Sequence, residues 1–298
     1  MDTLANLRTF VAVAKYGGFS DAAKQLDLVP SVGAKRISQL EGEVGTRLFQ
    51  RSTRRVQITE AGLQLRARVP GLLAEFDDVV RSVQRDDGKL EGHLRVMAPT
   101  TLTLMRLGKT LGAFMARHER ITMEVALVDL SSNPEEQSFD LAISGRTASY
   151  EGVIDVPLCS THPRLVASPA YLAARGAALN HPRELIEHKC LVFSPSGKRW
   201  NFQSSRGVQS VEVTPHLLAD DNLTLLHAAV LGMGVAVLPG YVAADAIRDG
   251  TLQLLLPAYP PQDTWFRAYV PKRRMRLARV QALVDWITRD LSQFSGNP

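Results

Sequence analysis

Arg51, Arg54 and Arg55 fall within five positions of the stretch FQRSTRRVQIT, residues 49–59, with Thr53 between them and Val56, Ile58 and Thr59 after them. The flanking residues favour an extended chain, so the cations sit together on a short ribbon, where a polyanion would relieve their repulsion. A solvated charged loop is the competing reading. A second group, Ser31, Val32, Lys35 and Arg36, lies at helical spacing, with Lys24 seven residues upstream of Ser31. Hydroxyl, ammonium and guanidinium groups donate to phosphate oxygens and base edges, so the chemistry these residues suit is recognition of a duplex. A third, scattered group is Thr100, Thr101, Ser131, Ser144, Ser194 and Asn222, whose hydroxyls and amide could hold a small ligand.

The charge distribution supports the first two groups. Residues 1–60 hold nine Lys/Arg and six Asp/Glu, an excess of three out of a net +5 for all 298 residues. Within 35–55, Lys35, Arg36, Arg47, Arg51, Arg54 and Arg55 face only Glu41 and Glu43. A cationic front joined to a nearly neutral remainder is the footprint of a nucleic-acid module attached to something else. No stretch approaches the roughly 18 apolar residues of a membrane span, and Asp2 and Arg8 interrupt any secretory signal, so a cytoplasmic protein is expected. Two cysteines, Cys159 and Cys190, are too few for a disulfide framework. Buried thiols are the expected reading of both, with a redox role left open.

Elements that would position these residues follow from periodicity. Leu4, Leu7, Phe10, Val11 and Ala14 form one helical stripe ending at Gly17-Gly18. Ser20 is placed to cap a short second helix, DAAKQL, broken at Asp27-Leu28. Pro30 suits the first turn of a third helix running to Gly45, with Val32, Ile37, Leu40 and Val44 as its apolar positions and Ser31, Lys35 and Ser38 turned outward. Two helices joined by a short turn, the second with polar and basic residues near its start, make a helix-turn-helix. The arginine ribbon would then be its wing.

LRTFVAVAKYGGFSDAAKQL, RISQLEGEVGTRLFQRSTRRVQITEAG, VASPAYLA and LGMGVAVLPGY together resemble the LysR-type transcriptional regulators of bacteria, over nearly the whole chain. The resemblance implies a winged helix-turn-helix, a long linker helix that dimerises, and an effector domain built like a periplasmic binding protein. Where that family often has Ser or Thr before the recognition helix and a Ser three residues before the Ile, this chain has Val29 and Ala34. The first change removes a side-chain cap, usually worth about 1 kcal/mol.

The stretch from Thr59 to Gly88 carries Leu65, Val69, Leu72, Leu73, Phe76, Val79, Val80 and Val83, an apolar stripe too long for the front domain to cover. A second copy of the same helix is the expected partner, since two half-sites on DNA mirror a two-fold dimer; packing on its own rear domain is the competing reading. Pro70-Gly71 should kink or interrupt the helix.

After Gly92 strands and helices alternate, implying a parallel α/β sheet. HLRVMAP, ITMEVALVD and FDLAIS read as strands of a first lobe, and PRLVAS, LVFS, VEVTPHLLAD and GVAVLPG as strands of a second. The expected organisation is α/β with an all-α-plus-wing front: residues 1–60 DNA-binding, 61–88 linker, 89–298 effector-binding, with lobe I about 92–162 and 266–298 and lobe II about 163–265. Ligands of open α/β sheets sit beyond the carboxyl ends of strands, at helix starts. That rule selects Thr100, Thr101, Ser131 and Ser144 from lobe I, and Ser194 and Asn222 from lobe II. Each is also an ordinary helix or turn cap.

Other signals fail. GMGVAVLPG has glycines spaced like a dinucleotide loop, but it follows a helix and precedes a strand, the reverse of the phosphate-binding order. His188 and Cys190 lack zinc-site spacing, and no metal or cofactor is expected. PKRRMRLARV, residues 271–280, reads as a solvated turn and helix face. No catalytic residue is assigned, because no nucleophile, base and orienting group come together. The expected function is a DNA-binding transcriptional regulator whose grip a small effector changes. An enzyme or a solute-binding protein with an accessory nucleic-acid domain is the alternative. Expected partners are double-stranded DNA, a second copy of the chain (with pairing of dimers into tetramers left open), RNA polymerase, and a small-molecule effector, for which a carboxylate suits a hydroxyl- and amide-lined cleft. No membrane partner is expected.

Overall fold

The structure is a computed structural model; it describes residues 2–51, 56–84, 90–129, 132–176 and 179–292. The chain forms two compact units, Met1–His93 with Glu135–Phe139, and Leu94–Pro134 with Asp140–Pro298.

In the first unit, α1 (Thr3–Tyr16) opens on Asp2, whose carboxylate accepts the Ala5 N–H, and closes at Gly17. α2 (Phe19–Gln25) starts earlier than the expected Ser20 cap: Gly18 is the N-cap and Ser20 lies inside the helix. The reason is burial, since the Phe19 ring packs edge-on against Phe49 at 6.2 Å and is drawn into the helical turn. Asp27, at φ 53°, makes the break before α3 (Pro30–Val44). The core gathers Phe10, Val13, Ala22, Ile37, Leu40, Leu48 and Phe49. Val32 and Val44, expected among the apolar inward positions, are 38% and 44% exposed. Gly33, Ile37 and Leu40 form the buried stripe instead, so the helix is turned from the expected phase.

β1 (Phe49–Arg51) and β2 (Val56–Ile58) pair antiparallel, Phe49 opposite Ile58 and Arg51 opposite Val56. Two local networks hold this ribbon to the helices. The Glu41 carboxylate accepts the N–H groups of Leu48 and Phe49 at 2.8 and 3.2 Å. Thr59 donates its hydroxyl to the Arg47 carbonyl at 2.8 Å and accepts the Gly62 N–H at 3.1 Å. A Cβ on Gly62 would sit 2.3 Å from the Leu48 carbonyl oxygen, so only glycine lets the next helix begin this close. That helix, α4 (Glu60–Gln84), continues across Pro70-Gly71, so of the expected kink or interruption the interruption does not occur. Leu65 packs on the front core and Val69 and Leu73 are buried, which sustains the helix through the lost proline hydrogen bond. Leu72, Phe76 and Val80 remain exposed on it.

The second unit holds two sheets. The chain enters with β3 (Gly92–Ala98), α5 (Thr100–Leu102), a π-helical turn Thr103–Leu107, α6 (Gly108–Arg117), β4 (Ile121–Leu127), β5 (Leu141–Ser144) and β6 (Val153–Ser160). It continues through β7 (Arg164–Ala167), α7 (Pro169–Arg175), β8 (Cys190–Phe193), the β9 (Arg199–Phe202) and β10 (Gln209–Glu212) hairpin, β11 (Pro215–Ala219), α8 (Asn222–Val230), β12 (Val235–Leu238), α9 (Gly240–Arg248) and β13 (Gln253–Leu254). β14 (Trp265–Pro271) and α10 (Ala278–Ser292) then complete the first lobe. The sheet orders are β4-β3-β5-β14-β6 and β11-β8-β12-β7-β13.

Both sheets are mixed rather than parallel. β14 is antiparallel to β5 and β6, and β7 is antiparallel to β12. The chain leaves lobe I on β6 and returns on β14, so the return strand must run the other way. The crossings are tied together: Thr161 donates its N–H to the Thr264 carbonyl at 2.8 Å, and their hydroxyls meet at 2.6 Å. VEVTPHLLAD, read as one strand, splits at Pro215, which has no N–H for a ladder; β10 and β11 belong to different sheets. The basic stretch 271–280 is also corrected, since Arg274 and Arg279 are buried. Arg274 has a partner in buried Asp140, 3.3 Å away, which also accepts the Arg95 N–H. In GMGVAVLPG, Gly234 lets β12 pass the 188–190 backbone: a Cβ there would lie 2.1 Å from the Lys189 carbonyl oxygen.

Candidate functional site

On the front unit, Ser31, Val32 and Lys35 are exposed at the start of α3, and Lys24 is exposed on α2. The helix beneath them is fixed by Ile37 and Leu40, both inside the core. Arg36 is half-buried, with its Nη1 3.5 Å from the Thr9 hydroxyl, so it leans toward α1. No hydrogen bond or ion pair joins the side chains of Lys24 and Lys35 to protein among the described residues. Arg51 stands in β1, while Thr53, Arg54 and Arg55 lie outside the described residues. What the α3 start offers is a row of free donors and one methyl-bearing side chain on a rigid helix. No cap holds that start, because Val29 carries no acceptor.

In the second unit the strand ends that the sequence rule selects carry aspartates beside the expected hydroxyls. Thr100 donates its N–H and hydroxyl to the Asp129 carboxylate at 2.9 and 2.6 Å. Thr101, 3% exposed, donates its hydroxyl to Asp221 at 2.8 Å, which joins the end of β3 in one lobe to the start of α8 in the other. Asn222 is buried in the first turn of α8, but the cap is Asp221, which accepts the Thr224 N–H. Ser144 is buried and accepts the Arg146 N–H. Ser194 is exposed and lines a cavity of about 820 Å³ with Leu127, Asp129, Arg146, Ser196 and Asp220. Ser131 lies outside the described residues. The structure therefore brings Ser194 to the cavity, while Thr100 and Thr101 are each bound to an aspartate.

Electrostatics follow the same carboxylates. Burial works to raise the Asp221 pKa, but the Thr224 N–H and the Thr101 and Thr224 hydroxyls outweigh it and hold the carboxyl below its ordinary value. Tyr241 is pushed well up by burial and then by Cys159, Asp129 and Asp221, so its phenol stays protonated. Burial raises Cys159 to about 11, with Asp263 adding to it, and raises Cys190 to about 12. Neither thiol forms appreciable thiolate at neutral pH, the form that reacts. Asp129, Asp220 and Asp221 were findable in VALVD and LLADDN, since they occupy the strand ends the rule selects.

Comparison with known proteins matches this arrangement along its length. Residues 4–63 match the bacterial regulatory helix-turn-helix protein family of lysR type, and residues 87–292 match the LysR substrate binding domain. The regulator PtxR of Pseudomonas aeruginosa is 28% identical over 97% of this chain and 93% of its own. An HTH-type transcriptional regulator of Haemophilus influenzae is 29% identical over 92% of this chain and 96% of its own. Among solved structures, the LysR-type regulator CrgA of Neisseria meningitidis superposes with TM-score 0.62 at 26% identity, covering 98% of this chain and 99% of that one. The Vibrio cholerae virulence activator AphB shares the fold, with TM-score 0.63 at 21% identity over 97% of this chain and 99% of that one. The chain belongs to the LysR family of DNA-binding transcriptional regulators, with the helix-turn-helix at its front and the effector-binding domain behind it.

Proposed function

We propose that α3 lies in the major groove, with Ser31, Val32 and Lys35 reaching base edges and Arg36 nearby phosphates, while Lys24 touches the backbone from α2. The observation that carries this is the exposed, unpaired start of α3 on a helix whose other face is fixed by Ile37 and Leu40. Arg51, Thr53, Arg54 and Arg55 form the wing and meet phosphates. The exposed Leu72, Phe76 and Val80 of α4 bury against a second copy of the chain, giving a dimer that matches two half-sites. The interlobe cleft, with Thr100, Thr101, Ser144, Ser194 and Asn222, takes the effector, and Ser131 is assigned to the same site from the sequence alone. Effector binding favours one arrangement of the lobes and changes the spacing of the paired α3 helices. The protein acts in the cytoplasm, on the chromosome, and is not an enzyme.

The test is DNA binding measured over a salt series on fragments selected from the genome. Arg54→Ala with Arg55→Ala weakens binding to every duplex and reduces the salt slope by about 1 to 2, one phosphate contact being worth about 0.9. An unchanged slope removes the wing from the interface. Lys35→Ala changes which sequence is preferred; a uniform loss over all sequences makes it a phosphate contact instead. If the wild-type chain prefers no fragment even at low salt, the reading of the front unit fails.

A further inference from the structure

We infer that the cleft takes a small zwitterion, with its ammonium on Asp129 and Asp220 and its carboxylate on Arg146; this rests on the cleft being the effector site. Helix starts in a two-lobed α/β domain ordinarily favour anions. Here the starts of α5 and α8 already hold a carboxylate of the chain itself. Asp129 takes the Thr100 N–H and hydroxyl, and Asp221 takes the Thr224 N–H with the hydroxyls of Thr101 and Thr224. A diffusible carboxylate at either place would meet a fixed one. Thr100 and Thr101, two of the donors that recommended a carboxylate effector, are consumed, and Asp129, which holds Thr100, faces the cavity.

The cavity beside them has the complementary charge pattern. Its volume of about 820 Å³ suits a small organic molecule, and its lining brings together Asp129, Asp220 and Arg146. Asp220 has no hydrogen bond or ion pair among the described residues, and the Arg146 guanidinium has none either. The backbone that carries Arg146 is nonetheless fixed. Buried Tyr269 donates its hydroxyl to the Arg146 carbonyl and accepts the Ala148 N–H, both at 2.9 Å, and Arg146 donates its own N–H to Ser144. A free guanidinium on a fixed loop is a carboxylate receptor, because its planar fork donates to two oxygens at once. Two aspartates against one arginine reject a dicarboxylate and accept a molecule carrying one charge of each sign.

The test is calorimetric titration of the full-length chain with a ladder of amino acids of increasing span: glycine, β-alanine, γ-aminobutyrate, δ-aminovalerate and ε-aminocaproate. Succinate, glutarate, adipate, putrescine and cadaverine are the single-sign controls. At least one rung of the ladder should bind with Kd below about 1 mM, and every control about tenfold more weakly. Arg146→Gln and Asp220→Asn, both at exposed positions, should each weaken that rung about tenfold. The proposal is overturned if a dicarboxylate or a diamine binds best, if no rung binds, or if both variants leave the affinity unchanged. A dicarboxylate whose binding still falls in Arg146→Gln would keep the cleft as the effector site and reject only the charge assignment. Binding untouched by either variant would reject the cleft itself.

Discussion

The start of α3 and the cleft between the lobes are both lined by hydroxyls and charges, yet the two are built in opposite ways. On α3, the Lys35 and Ser31 side chains are exposed with no hydrogen bond or ion pair among the described residues, and the residues that hold the helix, Ile37 and Leu40, are different ones. In the cleft Thr100 is bound to Asp129 within one lobe and Thr101 to Asp221 across the two, so a group at the site also holds its lobes together. A surface that meets a large polyanion can leave its charges free, because water solvates them until the partner arrives. A cleft that shuts on a small molecule must organise its polar groups in advance, since an unpaired buried group costs more than a bond to it returns.

Substitutions can break that contrast. Gly62→Val should have the largest effect, because its Cβ would lie 2.3 Å from the Leu48 carbonyl oxygen; a loss of about 3 kcal/mol or more in chemical denaturation is expected, with DNA binding lost as well. Only in the front unit would positioning and contact then separate, for Lys35→Ala should leave stability within about 0.5 kcal/mol while altering DNA preference. Thr101→Val should cost about 1 kcal/mol and also change the effector response, since one hydroxyl serves both. A neutral Thr101→Val would mean that the Asp221 bond does not hold the lobes. Thr100→Val should blunt the effector response with DNA affinity unchanged; losing both together would indicate misfolding.

The same contrast has a pH signature. Asp221 has a folded pKa below its ordinary value, 3.8, so its stabilising contribution is complete above that value and is lost as pH falls through the lower folded one. The wild-type chain should therefore lose stability over the acid limb below about pH 4 more steeply than Asp221→Asn. Parallel acid limbs would show that the carboxylate is not what the Thr101 hydroxyl and the α8 start hold. The smallest effect expected is a gain: Gly42 lies in α3 with open space around a Cβ, and Gly42→Ala should add about 0.5 to 1 kcal/mol.

Residue types and spacing were sufficient for the front because its logic is local. The stripe of α1, Pro30 at the start of α3 and Gly45 at its end are read within one or two turns, and they place Lys35 outward whatever else the chain does. Even there the phase of α3 was misjudged at Val32 and Val44, since Gly33 contributes no side chain to the apolar pattern yet occupies the buried place. In the rear domain the pairing of aspartates with the strand-end hydroxyls has no such local signature. Asp221 lies 120 residues from its partner Thr101, and Arg274 lies 134 from Asp140. Such pairs have no signature in spacing.

From the sequence alone came the order of modules, the cationic face, the long apolar helix and the strand ends that edge a cleft, all of which follow from periodicity, caps and charge density along a continuous chain. Tertiary structure decided which strands run antiparallel, which arginines are buried, and that the chain's own aspartates occupy the helix starts where a ligand's carboxylate was expected. The physical reason is that hydrogen bonding between distant residues depends on where folding places them, and it consumes donors that composition counts as free.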